Sequence, residues 1–259
     1  MARRAVLCYV LALGCALGRG QTAGAPLTPA QKALLDRVAE YARGYQRRLP
    51  DFVCTRVTRR SRDASNSGER WKPIDTSEEE LTVVTGRENC RLLRFNGKPA
   101  KPGAHMSGFK SNGEFAGVLN GIFGEGHNPE IRWERDEDSA GRHISVFRFR
   151  VPKERSKATV GTGGKTEIVG FGGLVYAAAD TGEVERVHIE QDEPEYIKAS
   201  GMTTDVRFIE ATIAGARYLL PGQAESRIRF NGSLLKREME FRDYHKYAAD
   251  ASIVFDDPK

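Results

Sequence analysis

The chain has 259 residues, with 40 basic and 35 acidic side chains, a net charge of +5 and 39% hydrophobic residues. Such a balance fits a folded globular protein and lacks the clustered basic face of a nucleic-acid binder, so no nucleic-acid partner is expected. No apolar run approaches the roughly 20 residues that a membrane-spanning helix needs, which excludes a transmembrane span of that kind.

The first residues, Met1-Ala2-Arg3-Arg4, are followed by an apolar run from Ala5 to Leu17 and then by the small and polar Gly18-Arg19-Gly20-Gln21-Thr22. A charged start, a short apolar segment and a small-residue zone predict a signal peptide over residues 1–18, followed by a linker over 19–27 and one domain over 28–259. Ala12-Leu13-Gly14-Cys15 resembles a lipoprotein processing site, so acylation of Cys15 and a lipid-anchored envelope contact is a second route. Export to the periplasm or the medium is the common expectation. In such an oxidising compartment Cys54 and Cys90 are expected to pair as a disulfide, closing a loop of about 37 residues and adding roughly 3–4 kcal/mol. Two buried thiols are the alternative.

Thr28-Pro29-Ala30-Gln31 reads as a capping box with proline at the first helical position. Leu34, Val38, Tyr41, Tyr45 and Leu49 then follow at helical steps, until Pro50 stops the helix. From Asp51 the pattern changes to alternation, with Val53, Thr55 and Val57 on one side of a strand and Cys54, Arg56 and Thr58 on the other. A polar loop over Ser61 to Arg70 leads to a predicted hairpin, Leu81 to Thr85 and Cys90 to Phe95, turning at Gly86-Arg87-Glu88-Asn89. The basic stretches Arg56 to Arg62 and Arg148 to Lys157 are expected to be solvated faces, with contact to anionic headgroups as the functional alternative.

Ser111-Asn112-Gly113-Glu114 predicts a second helix of about 12 residues, ended by Gly124. Phe115, Val118, Leu119, Ile122 and Phe123 form its apolar stripe. These five side chains either complete a core or act as a lid over a bound apolar ligand. Burying them is worth on the order of 10 kcal/mol. Strands are predicted at Ile131–Glu134, His143–Val151, Glu167–Ala179, Glu183–Glu190, Asp205–Ile213, Arg217–Phe230 and Leu234–Tyr247. Their joints Asp180-Thr181-Gly182, Ala214-Gly215 and Asn231-Gly232-Ser233 are hairpin turns, so the strands are antiparallel neighbours. Ala224, Ser226, Ile228 and Phe230 face one side with Leu235, Met239 and Phe241, while Glu225, Arg227, Arg229, Lys236, Glu238, Glu240 and Arg242 face the other.

The stretch from Gly163 to Glu190 contains Gly164-Lys165-Thr166 but is no phosphate-binding loop. The position that must be the first glycine is Thr159, and β-branched residues follow the lysine where a helix is required. Its glycines read as a connection, a bulge or a close approach between backbones. His105, His127, His143, His188 and His245 show no metal-ligand spacing, and no serine sits in a nucleophile elbow. No cofactor, metal or catalytic residue is expected.

An N-terminal helix, a long antiparallel meander and a mid-chain amphipathic helix resemble the lipoprotein-carrier fold of LolA, LolB and RseB. The fold class expected is α+β, mainly β: a large curved antiparallel sheet, an incomplete barrel, with both helices covering one face. The resemblance implies an apolar ligand such as a lipid or a lipoprotein acyl chain, and an acylated protein as partner. An envelope protein-interaction module without a cavity, and a secreted hydrolase, are the rival readings.

Overall fold

The computed structural model describes residues 26–101, 103, 104, 115–139, 141–162 and 164–248. The expected leader with Cys15, His105 and the box Ser111–Glu114 lie outside these. Helix α1, Pro29–Arg48, starts as expected: Thr28 Oγ1 accepts from the Gln31 amide at 3.2 Å and the Gln31 side chain accepts from the Thr28 amide at 2.9 Å. Leu49, in an extended conformation, ends it.

Four strands follow, β1 Phe52–Asp63, β2 Lys72–Val84, β3 Arg87–Phe95 and the short β4 Lys98–Pro99. Helix α2, Ala116–Phe123, separates them from the hairpin β5 Glu130–Ser139 and β6 Arg142–Val151. After a small hairpin, β7 Thr159–Thr162 and β8 Lys165–Ile168, come β9 Phe171–Ala178, β10 Val184–Gln191, β11 Ala199–Ile213, β12 Ala216–Phe230 and β13 Ser233–Lys246. Eleven of these strands form one sheet in the order β4-β3-β2-β1-β13-β12-β11-β10-β9-β6-β5, antiparallel throughout. It is open, with β4 and β5 as edges, and the first and last long strands meet at its middle.

Turn chemistry fixes this meander. Thr85-Gly86, Asn96-Gly97, Ala214-Gly215 and Asn231-Gly232 each place two successive residues at positive φ, the requirement of the tight two-residue hairpin. The first of these differs from expectation: β3 begins at Arg87 rather than after Asn89, and β2 begins at Lys72 rather than Leu81. The expected strand Glu167–Ala179 is two strands, because β8 pairs with β7 in a separate ribbon. At Gly173 a side chain is impossible, since a Cβ would lie 1.9 Å from the His188 carbonyl oxygen. Gly172, where a Cβ would lie 2.9 Å from the Phe149 carbonyl oxygen, and Gly173 thus serve the close approach of strands in the sheet.

Both helices lie on the same apolar cluster, which draws Phe52, Leu81 and Val83 from one half of the sheet and Phe147, Phe149, Val175, Val206 and Leu220 from the other. Helix α1 crosses the strand ends. Arg37 Nη2 donates to Ala179 O near its middle, and towards its end Tyr45 Oη donates to Leu219 O at 2.7 Å and Gln46 Nε2 to Gly86 O.

The disulfide expected between Cys54 and Cys90 is not formed. Register explains it: Leu81 of β2 is the partner of Cys54 on one side and of Cys90 on the other. Two strand spacings separate the cysteine backbones by about 9–10 Å, whereas a bridge spans about 4.4–6.8 Å between Cα atoms. Burial pushes the Cys54 thiol up to about 12.

Candidate functional site

The five stripe residues of the second helix all belong to the main apolar cluster. Leu119 and Ile122 are fully buried, Phe115 is 1% exposed, and Val118 and Phe123 are also in the core. Phe115 inserts among three rings, with centroids 5.5 Å from Phe52, 5.1 Å from Phe241 and 6.4 Å from Tyr244. At the other side of the helix, Gly121 approaches the Phe171 ring of β9. Helix α2 therefore lies over the sheet between its two halves, with α1 packed alongside. It spans 8 residues, and its N-cap, Phe115, has no side-chain cap hydrogen bond. Isolated helices of that length are unstable, so α2 owes its existence to the apolar face beneath it.

The same face changes character along β1 and β2. Beyond Cys54 and Leu81 the inward positions become Arg56 and Glu79, then Thr58 and Ser77, then Arg60 and Asp75, each pair in direct register. Arg56 Nε and Nη2 both lie 2.8 Å from Glu79 Oε2, and Arg60 Nε donates to Asp75 Oδ1 at 2.7 Å. Across the seam to β13, Arg60 faces Arg237, and Arg237 faces Ser226, whose hydroxyl lies 3.2 Å from that of Thr204. Arg56, Glu79, Thr58, Ser77, Arg237 and Ser226 are all buried. The expectation that Arg56 to Arg62 is a solvated face is thus corrected: only Arg59 and Arg62 point to water, and Arg56 and Arg60 turn inward by strand alternation.

Within this polar row Thr58 is 2% and Ser77 1% exposed, and neither hydroxyl oxygen finds a hydrogen-bond partner among the described residues. An unsatisfied buried hydroxyl costs about 1–3 kcal/mol. A buried ion pair is itself seldom more stabilising than apolar packing of the same volume. The row is expensive for a sheet that needs only to be covered.

On the opposite face lies a groove of about 600 Å³ around His188, Asp205, Glu225 and Glu238. Asp205, Glu225 and Glu238 are successive cross-strand partners, an arrangement of like charges that would repel. Each is neutralised locally, Asp205 by Arg186 and His188, Glu225 by Arg227 at 2.6 Å and Glu238 by Lys236 at 3.1 Å. Burial alone would raise the Asp205 carboxyl, but hydrogen bonds from His188 and Arg186 and their charges outweigh it and hold it at about 2. This is the wet face that the alternation of β12 and β13 requires.

Elsewhere the chemistry is sparse. His143 Nδ1 meets Asp138 at 3.0 Å and His188 Nδ1 meets Asp205 at 3.2 Å, and among the described residues neither is joined to a serine. No group of three potential metal ligands occurs among the described residues, and none of their helices is long and apolar enough to cross a membrane.

No protein-family model and no curated protein matches the sequence. Solved structures are similar to it at low identity. The chain is similar to a LolA superfamily protein from Nitrosomonas europaea, with 9% identity, 85% of this chain and 97% of that chain covered and a TM-score of 0.38. It is similar to a DUF1329 family protein from Desulfovibrio piger, with 10% identity, 88% and 96% covered and a TM-score of 0.39. A domain from Vibrio parahaemolyticus described as an outer membrane lipoprotein-sorting protein gives 12% identity, 83% and 92% coverage and a TM-score of 0.39.

Proposed function

We propose that this chain is an exported envelope protein that binds an apolar chain, either a lipid or the acyl group of a lipidated protein, between the apolar face of its sheet and helix α2. The observation that carries the reading is α2 itself. Its five apolar side chains cover an open sheet, yet it is short and its N-cap carries no side-chain hydrogen bond. Displacing it exposes side chains worth on the order of 10 kcal/mol, and a buried hexadecanoyl chain at about 0.8 kcal/mol per methylene returns about the same. Exchange of helix for ligand is therefore nearly balanced, which a carrier that must both load and release requires. Phe115, Val118, Leu119, Ile122 and Phe123 are the contact residues, as lid when the site is full and as plug when it is empty.

Displacement of a fluorescent fatty acid from the purified chain tests the binding reading. Saturable, competable binding is expected, and a correctly folded protein that binds none would sink it. Export rests on residues 1–18, and the mass of the protein recovered from a bacterial envelope distinguishes cleavage after Gly18 from acylation at Cys15.

A further inference from the structure

We infer that the buried polar row on β1 and β2 is a head-group site, so that the ligand is an anionic amphiphile whose carboxylate or phosphate oxygens meet Thr58 and Ser77. This rests on the binding role proposed for the apolar face. Thr58 Oγ1 and Ser77 Oγ stand on directly paired positions of neighbouring strands, buried and with no hydrogen-bond partner among the described residues. Both hydroxyls can donate to one acceptor group placed between them. Arg56 and Arg60 stand two residues to either side of Thr58 on the same face of β1, and Arg237 is the partner of Arg60 on β13, one step along from Met239, which faces Thr58. Glu79 and Asp75 hold two of these guanidinium groups in position, at 2.8 and 2.7 Å. Hydrogen bonds to a charged acceptor are the strong ones, and guanidinium groups favour planar oxyanions.

The spacing matches a long-chain amphiphile. From Thr58 to Phe52, where Phe115 of the lid packs, β1 runs six residues or about 20 Å. Along that path the inward side chains change from hydroxyl through the Arg56–Glu79 pair to Cys54, Leu81, Phe52 and Val83. A head at Thr58 and Ser77 thus sends its tail under α2.

The test compares palmitate and palmitoyl lysophosphatidate with the neutral monopalmitoylglycerol, each displacing a fluorescent fatty acid from the full chain and from a Thr58→Val/Ser77→Ala variant. These substitutions nearly keep the volume and remove unsatisfied groups, so the variant should fold and melt no lower than the parent. A melting curve verifies that, and either single substitution serves if the pair misfolds. The parent should prefer an anion over the neutral lipid by about tenfold or more, equivalent to about 1.4 kcal/mol. In the variant the preference should fall to about threefold or less, with the neutral lipid bound as before. Whichever anion binds more tightly identifies the head group as carboxylate or phosphate. Equal affinity of the parent for charged and neutral lipids, or a preference that survives in the variant, overturns the head-group site and leaves the acyl-chain reading standing. Absence of saturable binding for all three overturns both.

Discussion

Arg237 and Arg56 are the residues whose placement is least conventional. Both are charged and in phase with apolar neighbours, Arg237 with Leu235 and Met239, Arg56 with Cys54 and Phe52. The alternation that assigns faces also predicts them inside, but a charge at an inward position is readily discounted when periodicity is read by hydrophobicity. His188 shows a different use of charge. Its hydrogen bond to Asp205 raises its pKa most, burial opposes this, and the charges of Asp205 and Glu190 add to the rise. A raised folded-state value means that its stabilisation is full below the ordinary histidine value near 6.5 and is lost as pH climbs through the folded value. Arg186 and Arg207 also face Asp205, and with its carboxyl held at about 2 it stays ionised throughout this window. Replacing His188 with Gln should therefore cost about 1 kcal/mol at pH 5.5, a modest figure because water screens a pair that is a quarter exposed, and close to nothing at pH 8.5. Urea denaturation at the two pH values checks it; a loss that is equal at both would contradict the assignment. Cys54 offers a simpler check. With its thiol pushed up to about 12 by burial, it should resist alkylation in the native protein at pH 8, and a reductant should leave the melting temperature unchanged. A drop on reduction would reveal a bridge.

Among the elements, α1 and the turns that join β9 to β13 are legible in the sequence, because they are written in short-range chemistry, whereas β9 and β11 begin at Phe171 and Ala199 rather than at Glu167 and Asp205. Thr28 and Gln31 cap, Asn231-Gly232 and Ala214-Gly215 turn, and each signal acts within four residues. Helix α2 was readable only in part. Its stripe from Phe115 to Phe123 identified the buried face, whereas its described start at Ala116 lies past the expected box, and no local signal reveals that the sheet rather than the cap holds it. The β7–β8 ribbon carries no such signal, because Thr159–Thr162 contains one large apolar side chain, Val160, and periodicity needs more. The polar row had a signal in β1, but its meaning depended on pairing Thr58 with Ser77 and Arg60 with Asp75, which is long-range information. The role of α2 as a movable element can be tested at Gly117. It is exposed, with nothing within 4 Å of where a Cβ would lie. Gly117→Ala should stabilise the helix by about 0.5–1 kcal/mol without touching a neighbour. If α2 must leave for a ligand to enter, that gain opposes binding, and affinity for a fatty acid should weaken by about two- to fivefold while the melting temperature rises. Unchanged affinity in a more stable protein would mean that α2 stays in place when ligand binds.

At the scale of the whole molecule, the pairing of β1 with β13 decides how the chain behaves. It joins the meander β1–β4 to β9–β13 through eleven registered residue pairs, from Phe52 with Lys246 to Asp63 with Leu234. The apolar cluster crosses this seam, since Phe52 and Leu81 share it with Phe147 and Val175. The expectation of one domain over 28–259 therefore translates into one cooperative unfolding transition. The two tryptophans are placed to test it. Trp71 sits after the β1–β2 loop, donates to Gly68 O at 2.9 Å and lies under Arg227 and Lys236, while Trp133 is on the edge strand β5. Trp71→Phe and Trp133→Phe each leave one reporter, one beside the seam and one at the far edge of the sheet. Their denaturant midpoints should coincide with each other and with the midpoint from far-UV circular dichroism. Refolding should be slow, on the order of milliseconds to seconds or longer, because the seam joins strands from opposite ends of the chain. Two separate midpoints would show that the halves unfold independently. The apolar face under α2 would then be an interface between domains, and a ligand could enter by parting them rather than by lifting the helix.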